Sequence, residues 1–460
     1  MKIIIIFSLV FLQLLFPIDI PNGIINSPHN LNNNLNKSDL SLCRSCHLSD
    51  GNSIDSTHII NSDDLCLNCH NDVLAKYFEN ENIDKPNNIN LNKFSHHFNI
   101  GKDDEIHCIN CHNPHDNSNG NFLREIQENI CLDCHEDKNF AMSVHKSPLN
   151  PANRQNENIK CNSCHDIHLI SSHKSLLTKP ENQLCVDCHD GTSHNTDEYS
   201  SHFDINLVIN KMYTHITTNN SDKKESIQSV VCSDCHNPHQ STEMKIGLLD
   251  GSLNGTDGLS PWGLTVEHST YEYQICYKCH SYSNHQKTKN IAELFKRTNA
   301  SYHPIENVSN NINAAKSLKP GWGSASLMDC SDCHGNDNTF GIQGPHGSNH
   351  KGLLKNNFEV SPFTLASTQQ DNALCFQCHD EVYILQSAGF RWHKLHIDNG
   401  YNCSACHDSH GSKDYPTLLK FNSPYIKPNP NGNFDFNKTT SVNGSCTMTC
   451  HGHVHIDVNY

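Results

Sequence analysis

Apolar residues are scarce in this chain. Of its 460 residues 35% are hydrophobic, against about 45–50% in an ordinary globular domain, and the mean hydropathy is −0.61. That excludes a conventional side-chain core for a chain of this length, and taken alone such a composition leans toward disorder. Long hydrophobic runs are missing after residue 17, so no later segment reaches the roughly 20 apolar residues of a bilayer-spanning helix. Basic residues are in deficit: 33 Lys and Arg against 49 Asp and Glu leave a formal net charge of −16. This excludes a nucleic-acid partner, because phosphate binding requires a basic surface. Methionine is nearly absent. Beyond the first residue there are only Met142, Met212, Met244, Met328 and Met448, too few and too scattered to be a general metal ligand.

What the chain has in excess is cysteine and histidine, 24 and 35 residues. The cysteines form 12 pairs, and a histidine directly follows every pair. Eleven pairs read Cys-x-x-Cys-His, and the last is Cys446-Thr447-Met448-Thr449-Cys450-His451. Cys-x-x-Cys-His is the attachment signature of c-type haem: the two sulfurs bond one macrocycle and the adjacent histidine ligates its iron. Zinc ribbons do not need a histidine after each pair. A disulfide scaffold explains neither the fixed gap nor the histidines. The expected cofactor is therefore haem c, 12 per chain, and the macrocycles supply the missing apolar mass.

The attachment residues read from this pattern are Cys43, Cys46, Cys66, Cys69, Cys108, Cys111, Cys131, Cys134, Cys161, Cys164, Cys185 and Cys188 in the first half. In the second they are Cys232, Cys235, Cys276, Cys279, Cys330, Cys333, Cys375, Cys378, Cys403, Cys406, Cys446 and Cys450. The proximal histidines are His47, His70, His112, His135, His165, His189, His236, His280, His334, His379, His407 and His451.

The motifs fall into couples whose first cysteines lie 23, 23 and 24 residues apart in the first half (43 to 66, 108 to 131, 161 to 185). In the second half the spacings are 44, 45 and 43 (232 to 276, 330 to 375, 403 to 446). Six two-haem units follow: residues 23–90, 91–140, 141–200, 201–295, 296–385 and 386–460. Each unit offers a further histidine soon after its first proximal one: His58, His115, His168, His239, His346 and His410. Another precedes each unit: His29, His96 or His97, His145, His215 (with His202 and His194 behind it), His303, and His393 or His396, the clusters leaving the choice open. These give 12 candidates for the second axial position. In His112-Asn113-Pro114-His115 and its counterparts the second imidazole follows after three residues, too few to pass around a macrocycle. Such a histidine is expected to ligate a neighbouring haem. Histidines such as His173, His268, His453 and His455 are read as surface residues.

These units resemble the doubled-CXXCH family of multihaem cytochromes, which run Cys-x-x-Cys-His-Asn-Pro-His, a Leu-rich stretch, then Leu-Cys-x-x-Cys-His. The matching stretches here are 108–115 with 130–135, 232–239 with 275–280, and the second halves 65–70, 184–189 and 374–379. The chain departs from the pattern after His47 and His334, which lack Asn-Pro-His, and at Cys446, with its extra residue. The resemblance implies electron carriage, and some extracellular cytochromes of this general kind polymerise into haem-stacked filaments.

The expected fold is mostly irregular with short helices and little regular β, an elongated structure organised around a chain of stacked haems. Short helical turns should carry the motifs, 132–141 and 291–300 are candidate helices, and 454–458 alternates as an edge strand does. Residues 1–22 read as a secretory signal: Lys2, an apolar run over 3–17, then Asp19, Pro21 and Asn22. A secreted, extracellular or cell-surface location follows, with the periplasm as alternative. The expected function is electron transfer without substrate chemistry, as a filament subunit or a relay. The rival is a reductase of a nitrogen or sulfur oxyanion, which would need one iron with an open face. Expected partners are other cytochromes or redox proteins, a homopolymer and an extracellular electron acceptor.

Overall fold

The computed structural model describes residue 66 and residues 107–135, 143–145, 159–168, 173–191, 204–215, 230–281, 290–309, 311, 316–361, 363–364, 369–386, 390–420, 426–440, 443–450 and 452–459. Most of this is irregular chain. The helices among the described residues are short: α1 Cys108–Cys111, α2 Gln127–Leu132, α3 Cys161–Cys164, α4 Glu181–Val186, α5 Asn206–Ile209, α6 Glu272–His280, α7 Ala292–Phe295, α8 Glu381–Leu385 and α9 His393–Asp398. None is long and apolar enough to cross a membrane. Their brevity follows from the sequence. A Cys-x-x-Cys-His motif needs one helical turn, and Asn, Gly and Pro crowd its flanks and end the helix there.

The strands are slighter still. β1 Tyr213–Thr214 pairs antiparallel with β5 Gly347–Ser348, β2 Gly258–Leu259 with β3 Thr265–Val266, and β4 Ser301–Tyr302 with β6 Gly411–Ser412. One larger sheet lies near the C-terminus, where β9 Gly444–Cys450 is central. It pairs with β10 His453–Asn459 on one side and with β7 Ile426–Lys427 and β8 Asp435–Lys438 on the other. The alternation at 454–458 thus lies in a seven-residue edge strand.

Two helix expectations are corrected. At 132–135 the chain is not helical beyond Leu132, where α2 ends, because the motif at Cys131 occupies its last turn; residues 136–141 of that expectation lie outside the described residues. At 291–300 only α7 is helical, since Lys296 leaves the helical region at ψ 134.

The chain divides into two compact bodies, residues 1–137 with 159–180, and residues 138–158 with 181–460. The two-haem unit 141–200 is split between them, its first motif in one body and its second in the other. The second body holds a small side-chain core of Tyr273, Tyr277, Ala292, Phe295 and Ile305. Trp262 and Phe340 stand at its surface, 80% and 95% exposed.

Candidate metal centres

Outside α6, each described Cys-x-x-Cys-His motif turns on a hydrogen bond from its histidine to its first cysteine. The histidine N–H donates to the carbonyl of the first cysteine at 2.8–3.0 Å, as in His112 to Cys108, His165 to Cys161, His236 to Cys232, His334 to Cys330 and His407 to Cys403. A turn brings residues three apart to about 5–6 Å between Cβ atoms, so both sulfurs face one side. The motif at Cys446 departs from the expected helical turn. It lies on β9, paired on both edges, where strand rise spreads residues four apart by about 13 Å along a straight chain. The extra residue and the β-branched Thr447 and Thr449 favour that extended form. Both of its thiols nevertheless lie within electrostatic reach of Cys406 and of each other.

A clasp not visible in the motifs themselves holds the first proximal histidine of a unit. In four places two consecutive residues with positive φ precede a leucine: Asn121 and Phe122, Ser175 and Leu176, Gly352 and Leu353, Thr417 and Leu418. The first of each pair turns its carbonyl to accept from a proximal Nδ1–H, His112 at 3.0 Å, His165 at 2.8 Å, His334 at 2.8 Å and His407 at 2.9 Å. The carbonyl of the second accepts the N–H of the residue after that histidine, Asn113, Asp166, Gly335 or Asp408. Left-handed backbone costs a non-glycine residue roughly 1–2 kcal/mol. Burial of Phe122, Leu176 and Leu353 offsets it. With Nδ1 donating, the lone pair sits on Nε2, and that second-shell bond orients an imidazole for a metal.

The residue after the proximal histidine explains the three-residue spacing of the next one. Asn113, Asp166, Asn237 and Asp408 each accept, through Oδ1, the N–H of the histidine two residues on: His115, His168, His239 and His410, at 2.8–3.1 Å. This Asx turn points the second ring away from the first. Asp408→Ala is expected to cost about 1–2 kcal/mol, read as a lower thermal midpoint, with His410 less well held.

Ring pairs form between units and within them. His168 faces His112 at 5.9 Å between ring centres, His346 faces His236 at 5.9 Å, and His410 faces His334 at 6.2 Å, with interplanar angles of 28°, 11° and 7°. In each, the in-unit histidine of one unit meets the first proximal histidine of the unit before. The upstream histidines meet second motifs: His145 and His189 at 6.2 Å, His215 and His280 at 6.2 Å, His303 and His379 at 6.4 Å. The last unit differs. His393 meets its first motif, facing His407 at 6.3 Å.

Short ladders deliver these rings in twos. In β1–β5, Tyr213 pairs with Ser348 and Thr214 with Gly347, which sets His215 opposite His346 at the next register. In β4–β6 the same step sets His303 opposite His410. The Nδ1–H of three upstream histidines donates to the carbonyl of the residue before an in-unit one: His145 to Pro238, His215 to Pro345, His303 to Ser409, across 93, 130 and 106 residues. The glycine after the ring is required by space. A Cβ at Gly347 would lie 2.0 Å from the Val208 carbonyl oxygen, and one at Gly411 1.9 Å from that of Leu294. Ser348 and Ser412, next along, donate to Leu354 and Leu419 of their own clasps.

The attachment cysteines are neighbours in sequence order. Within units, Cys111 lies near Cys134, Cys235 near Cys276 and Cys279, Cys333 near Cys375 and Cys378, and Cys406 near Cys446 and Cys450. Between units, the Cys185 thiol lies beside that of Cys232, Cys276 beside Cys330, and Cys375 beside Cys403. Carboxylates and amides fix these junctions. Glu181 accepts from Ser233 N at 2.6 Å, Glu272 from Ser331 N at 2.8 Å, and Asn372 from Cys403 N at 3.1 Å. In the first body, α2 packs against α3, joining the motifs at Cys131 and Cys161.

The donor set fits haem. Two imidazoles on opposite faces of one metal, with about 2 Å from metal to nitrogen and about 1 Å more to each ring centre, stand about 6 Å apart. The seven pairs fall at 5.9–6.4 Å. Burial, reinforced by the facing ring, lowers His346 and His379 to about 4 and His393 to about 3. They are neutral, the form that binds metal. His115 is exposed, and His239 lies within electrostatic reach of His145. Cys43, Cys46, Cys69, His29, His47, His58, His70, His96 and His451 lie outside the described residues, and Cys66 is helical.

Comparison with known proteins agrees with this chemistry. The model of the doubled CXXCH motif matches residues 97–140, 152–194 and 325–383. The multiheme cytochrome MtrA of Shewanella baltica (strain OS185) is 24% identical over 189 residues, a stretch covering 38% of this chain and 42% of that relative. With the doubled CXXCH motif matched three times and its cysteine pairs set beside facing imidazoles, the chain is similar to multihaem c-type cytochromes over these stretches.

Proposed function

We propose that this protein conducts electrons along a row of 12 c-type haems, each attached by one cysteine pair and held between two histidines. The observation that carries the reading is the row of facing imidazoles at 5.9–6.4 Å, beside attachment sites that adjoin in sequence order from Cys185 to Cys450. Bound haem supplies a one-electron couple at each iron. The chain's own residues do the rest. Paired neutral imidazoles close both axial faces, the clasps fix the proximal rings, and the ladders hold the two distal rings of a unit side by side.

A reductase would need an iron face without an imidazole, so closed faces favour carriage over substrate chemistry. The MtrA match supports the same reading, since that relative is named a multiheme cytochrome. Residues 1–22 act as a secretory signal in this reading, and the mature chain works outside the cytoplasm, extracellular or at the cell surface. Its partners are other redox proteins, further copies in a filament, and an extracellular acceptor.

The test is carbon monoxide added to the dithionite-reduced holoprotein, with haem counted on the same sample. The expected result is 12 haems per chain and almost no CO adduct. A CO band from many haems would sink the paired-imidazole reading. Microscopy of concentrated native protein separates the two forms of carrier: continuous fibres for the filament, discrete particles for the relay.

A further inference from the structure

The last unit breaks the pairing rule. In the units before it, an in-unit histidine of the next unit closes the first site, and the upstream histidine closes the second. In residues 386–460 the upstream His393 faces His407 of the first motif instead. The site at Cys446 and Cys450 is left without the histidine that the other units would assign it. We propose that His396, the second histidine of the upstream cluster His393/His396, is an axial ligand of the haem carried by Cys446 and Cys450. This rests on the paired-imidazole reading above.

His396 lies three residues beyond His393 on α9, on the same face of the helix. The Nδ1–H of His396 donates to the Trp392 carbonyl at 2.7 Å. Among the described residues, this bond from a histidine Nδ1 to a backbone oxygen recurs at His112, His145, His165, His215, His236, His303, His334 and His407. All eight belong to the axial set. The bond puts the lone pair on Nε2 and orients the ring, as a metal-ligating histidine requires.

The surroundings fit a macrocycle. Phe390 and Tyr401 flank the His396 ring at 5.9 and 6.2 Å. Leu395, next to His396 on α9, is 52% exposed, apolar area that a macrocycle would cover. The Arg391 guanidinium donates to the Asn459 carbonyl at 3.2 Å, tying the start of α9 to the hairpin that bears Cys446 and Cys450. His396 also lies within electrostatic reach of His455 on that hairpin.

The experiment uses full-length holoprotein and carbon monoxide as the probe. His396→Leu is expected to turn one haem per chain high-spin in the ferric paramagnetic resonance spectrum and CO-reactive when reduced. Added imidazole should restore the low-spin state, and His396→Met should keep it while shifting one reduction potential upward, as thioether ligation does. His453→Leu and His455→Leu should bind no more CO than the parent. If His396→Leu keeps its haem content and binds no CO, while His455→Leu does, the assignment is overturned in favour of His455. If neither opens a haem, it is overturned outright. A parent protein that binds CO at many haems fails the underlying reading instead, before any variant is made.

Discussion

Produced without haem, the full chain will give the circular dichroism and protease sensitivity of an unfolded polypeptide. Ordering each residue costs roughly 1–2 kcal/mol in backbone entropy, and the apolar side chains to offset it are few. The largest buried cluster is five residues around Tyr273 and Tyr277. Ile126, Leu132, Leu207, Met244 and Leu395 are more exposed than buried groups of their kind should be. A macrocycle at each site supplies both the apolar surface and a crosslink between a proximal and a distal imidazole far apart in sequence. Binding and folding are then one process, as in small metal domains. The measurement is a thermal melt and limited proteolysis of protein made in cells lacking c-type haem attachment. A cooperative melt with native-like dichroism would refute the idea.

Gly411→Ala is expected to open two haems at once. Its Cβ would stand 1.9 Å from the Leu294 carbonyl oxygen and 3.2 Å from that of Ser301. Both are backbone atoms that cannot swing aside, and forced overpacking costs typically about 1–3 kcal/mol. Relief comes by displacing β6 from β4, and that ladder sets His303 opposite His410. The rings facing His379 and His334 are therefore lost together. The reduced variant should bind CO at two haems per chain and melt at lower temperature. Gly323→Ala, with nothing within 4 Å of the added Cβ, serves as the control and should match the parent. An unchanged melt with no CO adduct in Gly411→Ala would show that the ladder does not position the ligands.

Much of the site was legible because haem attachment is a local, covalent chemistry. A cysteine pair and its histidine share one turn, so spacing alone reads them. The same holds for the Asn or Asp that sets the next histidine, since an Asx turn spans two residues. Which distal ring meets which proximal one was not legible. Hydrogen bonds across 93 to 130 residues settle it, and no local pattern encodes that distance. The clasps left a faint trace, a Leu-Leu or Phe-Leu pair downstream of each first motif, whose left-handed backbone gives no compositional sign at Ser175 or Thr417. His393 and His396 stand in one helical turn, so spacing alone left the choice between them open, and the ring pair with His407 takes up His393. The strand at Cys446 was masked by its likeness to the other motifs.

The ligand exchange between units also bears on what a shortened chain would become. On the proposed pairing, a unit lends its in-unit histidine backward, so its own first site waits on the unit that follows. Cutting after residue 295 would remove His346 and leave the iron facing His236 with a vacant coordination position. The fragment is expected to bind small gases at that site. On this layout, oxyanion or gas chemistry could arise from a carrier by deletion alone, without one new residue, and α9 with its two histidines is the cap that prevents it.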